Sequence, residues 1–233
     1  IGLVCGNFRR HPISTYLLPL LAGLDRRNFM VVAYSSCAQP DEVTRELQKQ
    51  CDLWYDTAGM ADPELLSLIR SDRMDVLIDL DNHSHPNRLW VFAQRAAPIQ
   101  VTAYGYNISS ALVQMDYRLS DAIVDPLQHA PHYTEKLLHT RGGHVSCMGT
   151  SLSAVPAPMG SNACPTFGSF NDWKKIDAAQ LERWSALLQA CPDSRLKVVG
   201  FADGLARQRL QRRSGGNERR SGEDRRAFFG DDR

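Results

Sequence analysis

Short apolar runs alternate with helical patterns along most of this 233-residue chain, and that alternation limits the fold more than any other feature. Residues 1–5 read as the inside of a strand and are followed by Gly6 and a polar loop. A helical pattern then runs from Pro12 through Tyr16, Leu17, Leu20, Leu21 and Leu24, with Pro12 in the first turn, where its missing N–H costs nothing. Residues 29–35 form a β-branched and aromatic strand. Pro40-Asp41-Glu42 opens a second helix through Val43 and Leu47, and Leu53-Trp54-Tyr55 is a short strand. Asp62-Pro63-Glu64 is a cap, proline and acid in succession, and Leu65, Leu66, Leu68 and Ile69 supply the buried face of the helix it starts. Residues 75–80 form a continuous apolar strand of the kind buried on both sides. A helix over residues 89–95 and strands at 99–103 and 117–119 follow. The alternation predicts parallel βαβ units in an α/β, Rossmann-like sheet, with ligands gathered at the loops after the strand C-termini.

From residue 141 the text changes. Residues 141–164 are rich in Gly, Ser, Pro and Ala, the composition of a linker. Alternation resumes with a strand at 166–170, a helix opened by Asp177 and carrying Leu181, Trp184, Leu187 and Leu188 on one face, and a strand at 196–199. This divides the chain into a lobe over 1–140, a linker over 141–164, the first βαβ unit of a second lobe over 165–200, and a polar tail over 201–233. The tail holds nine arginines against six acids and repeats Arg-Arg-Ser-Gly at 212–215 and 219–222. The opening strand lacks an initiator methionine, so the chain is expected to be a piece of a longer protein.

Composition excludes several classes. With 27 Lys and Arg against 26 Asp and Glu, the formal charge of +1 gives no reason to expect nucleic acid or an anionic membrane as partner. No run reaches the ~18 apolar residues of a membrane helix. Six cysteines without a Cys-x-x-Cys pair read as reduced thiols of a cytoplasmic protein.

Three strand-end loops carry chemistry. After the first strand, Gly6-Asn7-Phe8-Arg9-Arg10-His11 sets two arginines and a histidine ahead of a helix N-terminus, a place suited to an anion. Gly-x-Gly-x-x-Gly is absent, which argues against a dinucleotide. In the second loop, extended backbone would put Asp79, Asp81, His83 and His85 on one side, a donor set for Zn²⁺ or Mn²⁺ in a metal-dependent hydrolase; the competing reading is helix capping. His129, His132, His139 and His144 are dispersed and carry no evident site. In the third loop, Gly168-Ser169-Phe170-Asn171-Asp172-Trp173-Lys174-Lys175 lets backbone approach a ligand and brings a lysine to a helix start, where it can neutralise a diphosphate.

Six blocks then occur in order: Asn7-Phe8-Arg9-Arg10-His11-Pro12; residues 75–80 followed by Asp81-Asn82-His83; Asn87-Arg88-Leu89 running to Pro98-Ile99-Gln100-Val101-Thr102; Met115-Asp116-Tyr117-Arg118-Leu119-Ser120-Asp121; Tyr133-Thr134-Glu135-Lys136-Leu137; and Phe167-Gly168-Ser169-Phe170-Asn171. Over residues 1–200 the chain resembles the catalytic region of the O-linked N-acetylglucosamine transferases, glycosyltransferase family 41, particularly the bacterial members. The resemblance implies a GT-B architecture of two Rossmann-like lobes and inverting transfer of N-acetylglucosamine from UDP-GlcNAc to a Ser or Thr hydroxyl of a protein, without a metal or other cofactor. It implies that His11 faces the sugar and acceptor, that His83 lies at the cleft, and that Lys175 contacts the donor diphosphate. Asp172 occupies the position of a donor-contacting glutamine, and Asn7, Arg10, Tyr106 and Asn171 fall among the substrate-binding residues.

The chain departs from the family pattern at Asn7, where Asp is usual, at Asn82 for Gly, and at Ser84 for Thr. Its Gly105-Tyr106-Asn107-Ile108-Ser109-Ser110-Ala111 loop replaces Gly-Tyr-Pro-Gly-Thr-x-Gly. The second lobe's Gly-His-Thr-Thr block and the upstream tetratricopeptide repeats are absent from the sequence, so the chain alone is expected to transfer little or no sugar. The altered loop motivates a second reading, a non-catalytic binding or regulatory module descended from such an enzyme.

Overall fold

The computed structural model describes residues 1–145, 164–171 and 175–198. Each apolar run that the pattern marks as a strand in the first lobe becomes one: β1 (Gly2–Cys5), β2 (Val32–Ser35), β3 (Leu53–Asp56), β4 (Val76–Asp79), β5 (Ile99–Thr102) and β6 (Tyr117–Ser120). A further edge strand, β7 (Lys136–His139), was not marked by the sequence pattern. It is half exposed, and its Lys-Leu-Leu-His text carries little β signal. Together the seven form one sheet in the order β3-β2-β1-β4-β5-β6-β7, with every neighbouring pair parallel. Val4 of the central strand is opposite both Tyr34 and Asp79. The chain builds outward from β1 to β3 and then returns to the other side of β1, so the topological switch point lies between the C-terminal ends of β1 and β4.

Local chemistry fixes the helices. In α1 (Pro12–Gly23), His11 is the N-cap and Pro12 occupies the first turn. Asp41 caps α2 (Glu42–Lys49) by accepting from the Val43 and Thr44 N–H groups at 2.9 and 3.1 Å, while Thr44 Oγ1 accepts from the Asp41 N–H. Asp62 begins α3 (Asp62–Asp72) as its first helical residue and not as its cap, and Glu64 reaches back to the Ala61 N–H at 3.0 Å. The Asp62 carboxylate instead accepts from Arg88 Nη1 at 2.6 Å; Arg88 also donates to Ser36 Oγ and the Thr57 carbonyl, joining the ends of β2 and β3 to α3. The last α-helix before β5, α4 (Leu89–Ala93), is a single short segment, and a 3-10 helix over Leu127–His132 follows β6.

Successive strand residues alternate between two cores, which is why the sheet is buried on both faces. Val4, Tyr34, Leu65, Ile69, Leu77, Phe92 and Met115 pack on one side. Leu3, Cys5, Phe8, Ile13, Leu17, Ala33, Leu47 and Leu80 pack on the other.

The chain divides into two compact units, Ile1–Ser151 and Leu152–Arg233. In the second, β8 (Thr166–Ser169) pairs in parallel with β9 (Arg195–Val198), joined by α5 (Ala178–Ala190). Asp177 caps α5, accepting from the Gln180 N–H at 2.7 Å, and Leu181, Trp184, Leu187 and Leu188 form its half-buried face. Residues 146–163 of the expected linker and the tail from 201 lie outside the described residues. Among the described cysteines, Cys5, Cys37, Cys51, Cys164 and Cys191 are free thiols. No described helix is long and apolar enough to cross a membrane.

The loops at the switch point approach each other closely. A Cβ added at Gly105 would stand 2.5 Å from the Asp81 carbonyl carbon and 2.8 Å from the Asn82 nitrogen, both backbone atoms that cannot rotate away. Gly105→Ala is expected to lower stability by about 1–3 kcal/mol, read as a lower urea midpoint. An unchanged midpoint would mean that the loops are not in contact.

Candidate functional site

The loop after β1 is tied at both ends. At its start, the Gly6 N–H donates to Asp81 Oδ2 at 2.6 Å, Asn7 Nδ2 donates to Asp81 Oδ1 at 2.9 Å, and Cys5 Sγ lies 3.4 Å from the same oxygen. Gly6 has no room for a side chain, because a Cβ would fall 2.5 Å from the Pro86 carbonyl oxygen. At its far end, Thr44 Oγ1 donates to the Phe8 carbonyl at 2.6 Å and the Arg10 N–H donates to Asp41 Oδ2 at 2.7 Å. The Arg10 guanidinium is exposed and paired with Glu42, so α2 already engages one of the two arginines expected to meet an anion.

His11 is half buried, and its Nδ1 accepts from the Ile13 N–H at 3.3 Å. Burial, with the Arg9 charge beside it, lowers the imidazole pKa below its usual value. Both effects favour the neutral ring. With Nδ1 occupied as an acceptor, the proton sits on Nε2, and the ring presents a donor.

The loop after β4 does not run extended, and this corrects the metal-site reading. Its strand ends at Asp79, and Asn82 turns to φ +48°, which breaks the alternation that would have aligned four side chains. Both carboxylates face inward. Asp79 accepts from Thr102 Oγ1 at 2.9 Å and the Asn82 N–H at 3.0 Å, while Asp81 serves the β1 loop. His83 and His85 are exposed, and among the described residues no cluster of three or more His, Cys, Asp or Glu side chains could hold a metal. His83 Nε2 donates to the Ser109 carbonyl at 3.2 Å.

The 105–111 loop lacks the proline and extra glycines of the family pattern but is held by side chains. Asn82 Nδ2 donates to the Tyr106 and Ile108 carbonyls at 3.0 and 2.8 Å. Buried Glu135 accepts from the Ser110 N–H at 2.6 Å and from the Ser109 and Ser110 hydroxyls. Buried Arg118 reaches the Ile108 carbonyl and donates from Nε to Asp125 Oδ2 at 2.8 Å; its guanidinium lies 5.7 Å from the Tyr133 ring centre. Tyr106 itself is exposed. The sequence reading singled out none of Asp81's loop contacts, Arg118 or Glu135 for this role. It also passed over His144, which is buried with Nδ1 2.7 Å from Asp121 Oδ2, a contact that holds the Asp121 carboxyl well below its usual range.

Asn7, Arg10, His11, His83 and Tyr106 thus share the strand-end edge of the first unit. In the second unit, Asn171 and Lys175 are exposed in the β8–α5 connection, Lys175 two residues before the Asp177 cap. Asp172 lies outside the described residues.

The family profile of glycosyl transferase family 41 matches residues 1–146. The chain belongs to that family. This family 41 chain is 36% identical over 219 residues to the probable UDP-N-acetylglucosamine--peptide N-acetylglucosaminyltransferase SPINDLY of Solanum lycopersicum, a match covering 90% of this chain and 23% of that protein. It is 31% identical over 142 residues to the UDP-N-acetylglucosamine--peptide N-acetylglucosaminyltransferase of Caenorhabditis elegans, covering 60% of this chain and 12% of that one. A solved point mutant of Thermobaculum terrenum O-GlcNAc transferase superposes with a TM-score of 0.83 at 32% identity, covering 92% of this chain and 41% of that one. The expected α/β, GT-B-type fold is the one this match supports. The family 41 chain spans under a quarter of the tomato relative's length.

Burial pushes the Asp79 carboxyl up to about 7, the Asp81 charge adding to the effect, and pushes Asp81 up to about 6. A carboxyl whose folded pKa is raised contributes stability that is complete below its unfolded pKa, here 3.8, and is lost as pH rises through 6 and 7. Asp79→Asn carries no such loss. Its stability relative to the parent is expected to improve as pH rises from about 5 to about 8, with a limiting slope of about 1.4 kcal/mol per pH unit. Urea midpoints at several pH values measure this, and parallel pH profiles would contradict it.

Proposed function

We propose that this chain is part of the catalytic region of a protein O-glycosyltransferase that moves N-acetylglucosamine from UDP-GlcNAc to a Ser or Thr hydroxyl with inversion. The carrying observation is the β1 loop bearing Asn7 and His11, anchored at the switch point of a β3-β2-β1-β4 sheet in a family 41 chain. Residues 1–140 form the first lobe in this reading, 141–164 the linker, 165–200 the start of the donor-binding lobe and 201–233 a tail. The activity belongs to the longer protein, with the rest of the donor lobe and tetratricopeptide repeats as its other parts and the cytoplasm as its compartment.

Transfer forms a bond between the acceptor oxygen and the anomeric carbon, breaks the bond from that carbon to the β-phosphate oxygen, leaves the electron pair on UDP, and passes the acceptor's hydroxyl proton to an oxygen of the departing diphosphate. Lys175, exposed ahead of the thirteen-residue α5, supplies positive charge for that diphosphate together with the helix N-terminus, and no metal is invoked. Ser169, at the end of β8, keeps a buried hydroxyl without a partner among the described residues, which leaves a polar contact for a ligand of this loop. His11, neutral with its proton on Nε2, donates to an oxygen of donor or acceptor and does not take the acceptor's proton.

A chimera in which residues 1–200 replace the matching segment of the Thermobaculum terrenum enzyme tests this with radiolabelled UDP-GlcNAc and an acceptor peptide. The chimera is expected to transfer sugar, and His11→Ala and Lys175→Ala are each expected to lower kcat about 10²-fold or more. Full activity in both variants would remove the assigned roles, and an inactive, folded chimera would favour the binding-module reading.

A further inference from the structure

Asp81, just beyond the end of β4, gives its oxygens over to the segment that leaves the neighbouring strand β1. Both of its oxygens are used by three consecutive residues there: Cys5, the last of β1, through its thiol, Gly6 through its N–H and Asn7 through its side-chain amide. The acceptor is almost wholly buried, as are Cys5, Gly6 and Asn7. No guanidinium or ammonium neutralises Asp81 among the described ion pairs. Its hydrogen bonds alone hold it, and they are made only while residues 5–7 keep their present path. Four residues beyond Asn7, His11 hangs from the same segment.

We infer that Asp81 is a positioning residue for His11: its carboxylate, paired with the Asn7 amide, fixes the near end of the loop that presents the imidazole. The inference rests on the reading of His11 as a substrate-facing residue, but its geometry concerns the loop alone. Asn7 is matched to this role because a buried carboxylate needs a donor opposite it. A second carboxylate at position 7 would face Asp81 across a 2.9 Å contact, and no ion pair among the described residues offsets the charge on Asp81. The two side chains are therefore coupled, and exchanging them keeps one donor and one acceptor in place.

The test uses the full chain in three variants, Asp81→Ala, Asn7→Asp and the exchanged pair Asn7→Asp/Asp81→Asn. Amide hydrogen exchange and the NMR titration of the His11 ring are measured in each. In Asp81→Ala and Asn7→Asp the Gly6 amide is expected to exchange about tenfold faster or more, while Leu3 and Val4 in β1 stay protected. The exchanged pair is expected to return to within about threefold of the parent, because the donor and acceptor are restored.

The His11 titration separates position from charge. Removing the negative charge of Asp81 would by itself lower the imidazole pKa, whereas releasing the loop to solvent raises it toward the ordinary value of about 6.5. A rise in Asp81→Ala supports positioning, and a fall or no change overturns it. Should either single variant fail to fold, the exchanged pair still decides: folding with parent-like Gly6 protection supports the coupling, and behaviour no better than Asn7→Asp overturns it. None of these readouts depends on sugar transfer. An active chimera carrying His11→Ala would thus remove the catalytic reading and leave the anchor standing.

Discussion

Two carboxylates buried side by side at the C-terminal end of β4 are the constraint on which the candidate site depends. Removing a charged group from water is costly unless hydrogen bonds replace hydration, and here each carboxylate draws its donors from a different neighbour. Asp79 takes the Thr102 hydroxyl from β5 and the Asn82 N–H from its own loop, while Asp81 takes Gly6 and Asn7 from the β1 loop. The pair thereby joins three adjacent strands of the sheet at the edge where their loops emerge. It spans the place where the chain reverses its direction of winding, and a crevice forms there for topological reasons. The geometry of the crevice wall is then set by a few short contacts more than by loop length.

Much of this was legible in the sequence because parallel strands buried on both faces have a strong text. Runs such as Val76-Leu77-Ile78 leave few alternatives, and the proline at position 12, the Asp41 cap and the Asp62-Pro63 pair mark helix starts to within a residue. The edge strand β7 escaped because an edge strand buries one face incompletely and need not be apolar. The functional loops were legible as loops but not as geometry. Asp79, Asp81, His83 and His85 suggest a ligand set only on extended backbone, and the left-handed turn at Asn82 cannot be read from residue types spaced by two. Arg118 was equally hidden, since its partners Asp125, Asn107 and Ile108 come together only when β6 is in place.

The departures of the 105–111 loop look in the sequence like losses, since proline and glycines define a loop by restricting or freeing its backbone. The structure reaches definition by another route. Glu135 gathers both serine hydroxyls and the Ser110 N–H, Arg118 holds the Ile108 carbonyl, and Asn82 holds two carbonyls at once. Side-chain hydrogen bonds from three separate elements replace conformational restriction within the loop itself. Such a loop has a defined path without a defining sequence of its own, so its ordering cannot be judged from residues 105–111 alone.

Asn82 connects the two halves of the site. Asparagine is among the few residues with a side chain that tolerate the left-handed region, so the φ of +48° demanded by the turn is met without glycine. Glycine at this position could make the turn but could not reach the next loop. With asparagine, the backbone N–H answers Asp79 and the side-chain amide answers Tyr106 and Ile108, so one residue relays the order of the buried carboxylates to the exposed rim. The left-handed backbone at Tyr104 and Ala111, at +61° and +59°, brackets the same loop and is maintained against its steric preference only while these clasps hold. Order in the rim therefore derives from the interior through hydrogen bonds, and Tyr106 is exposed because its backbone, and not its ring, anchors that segment.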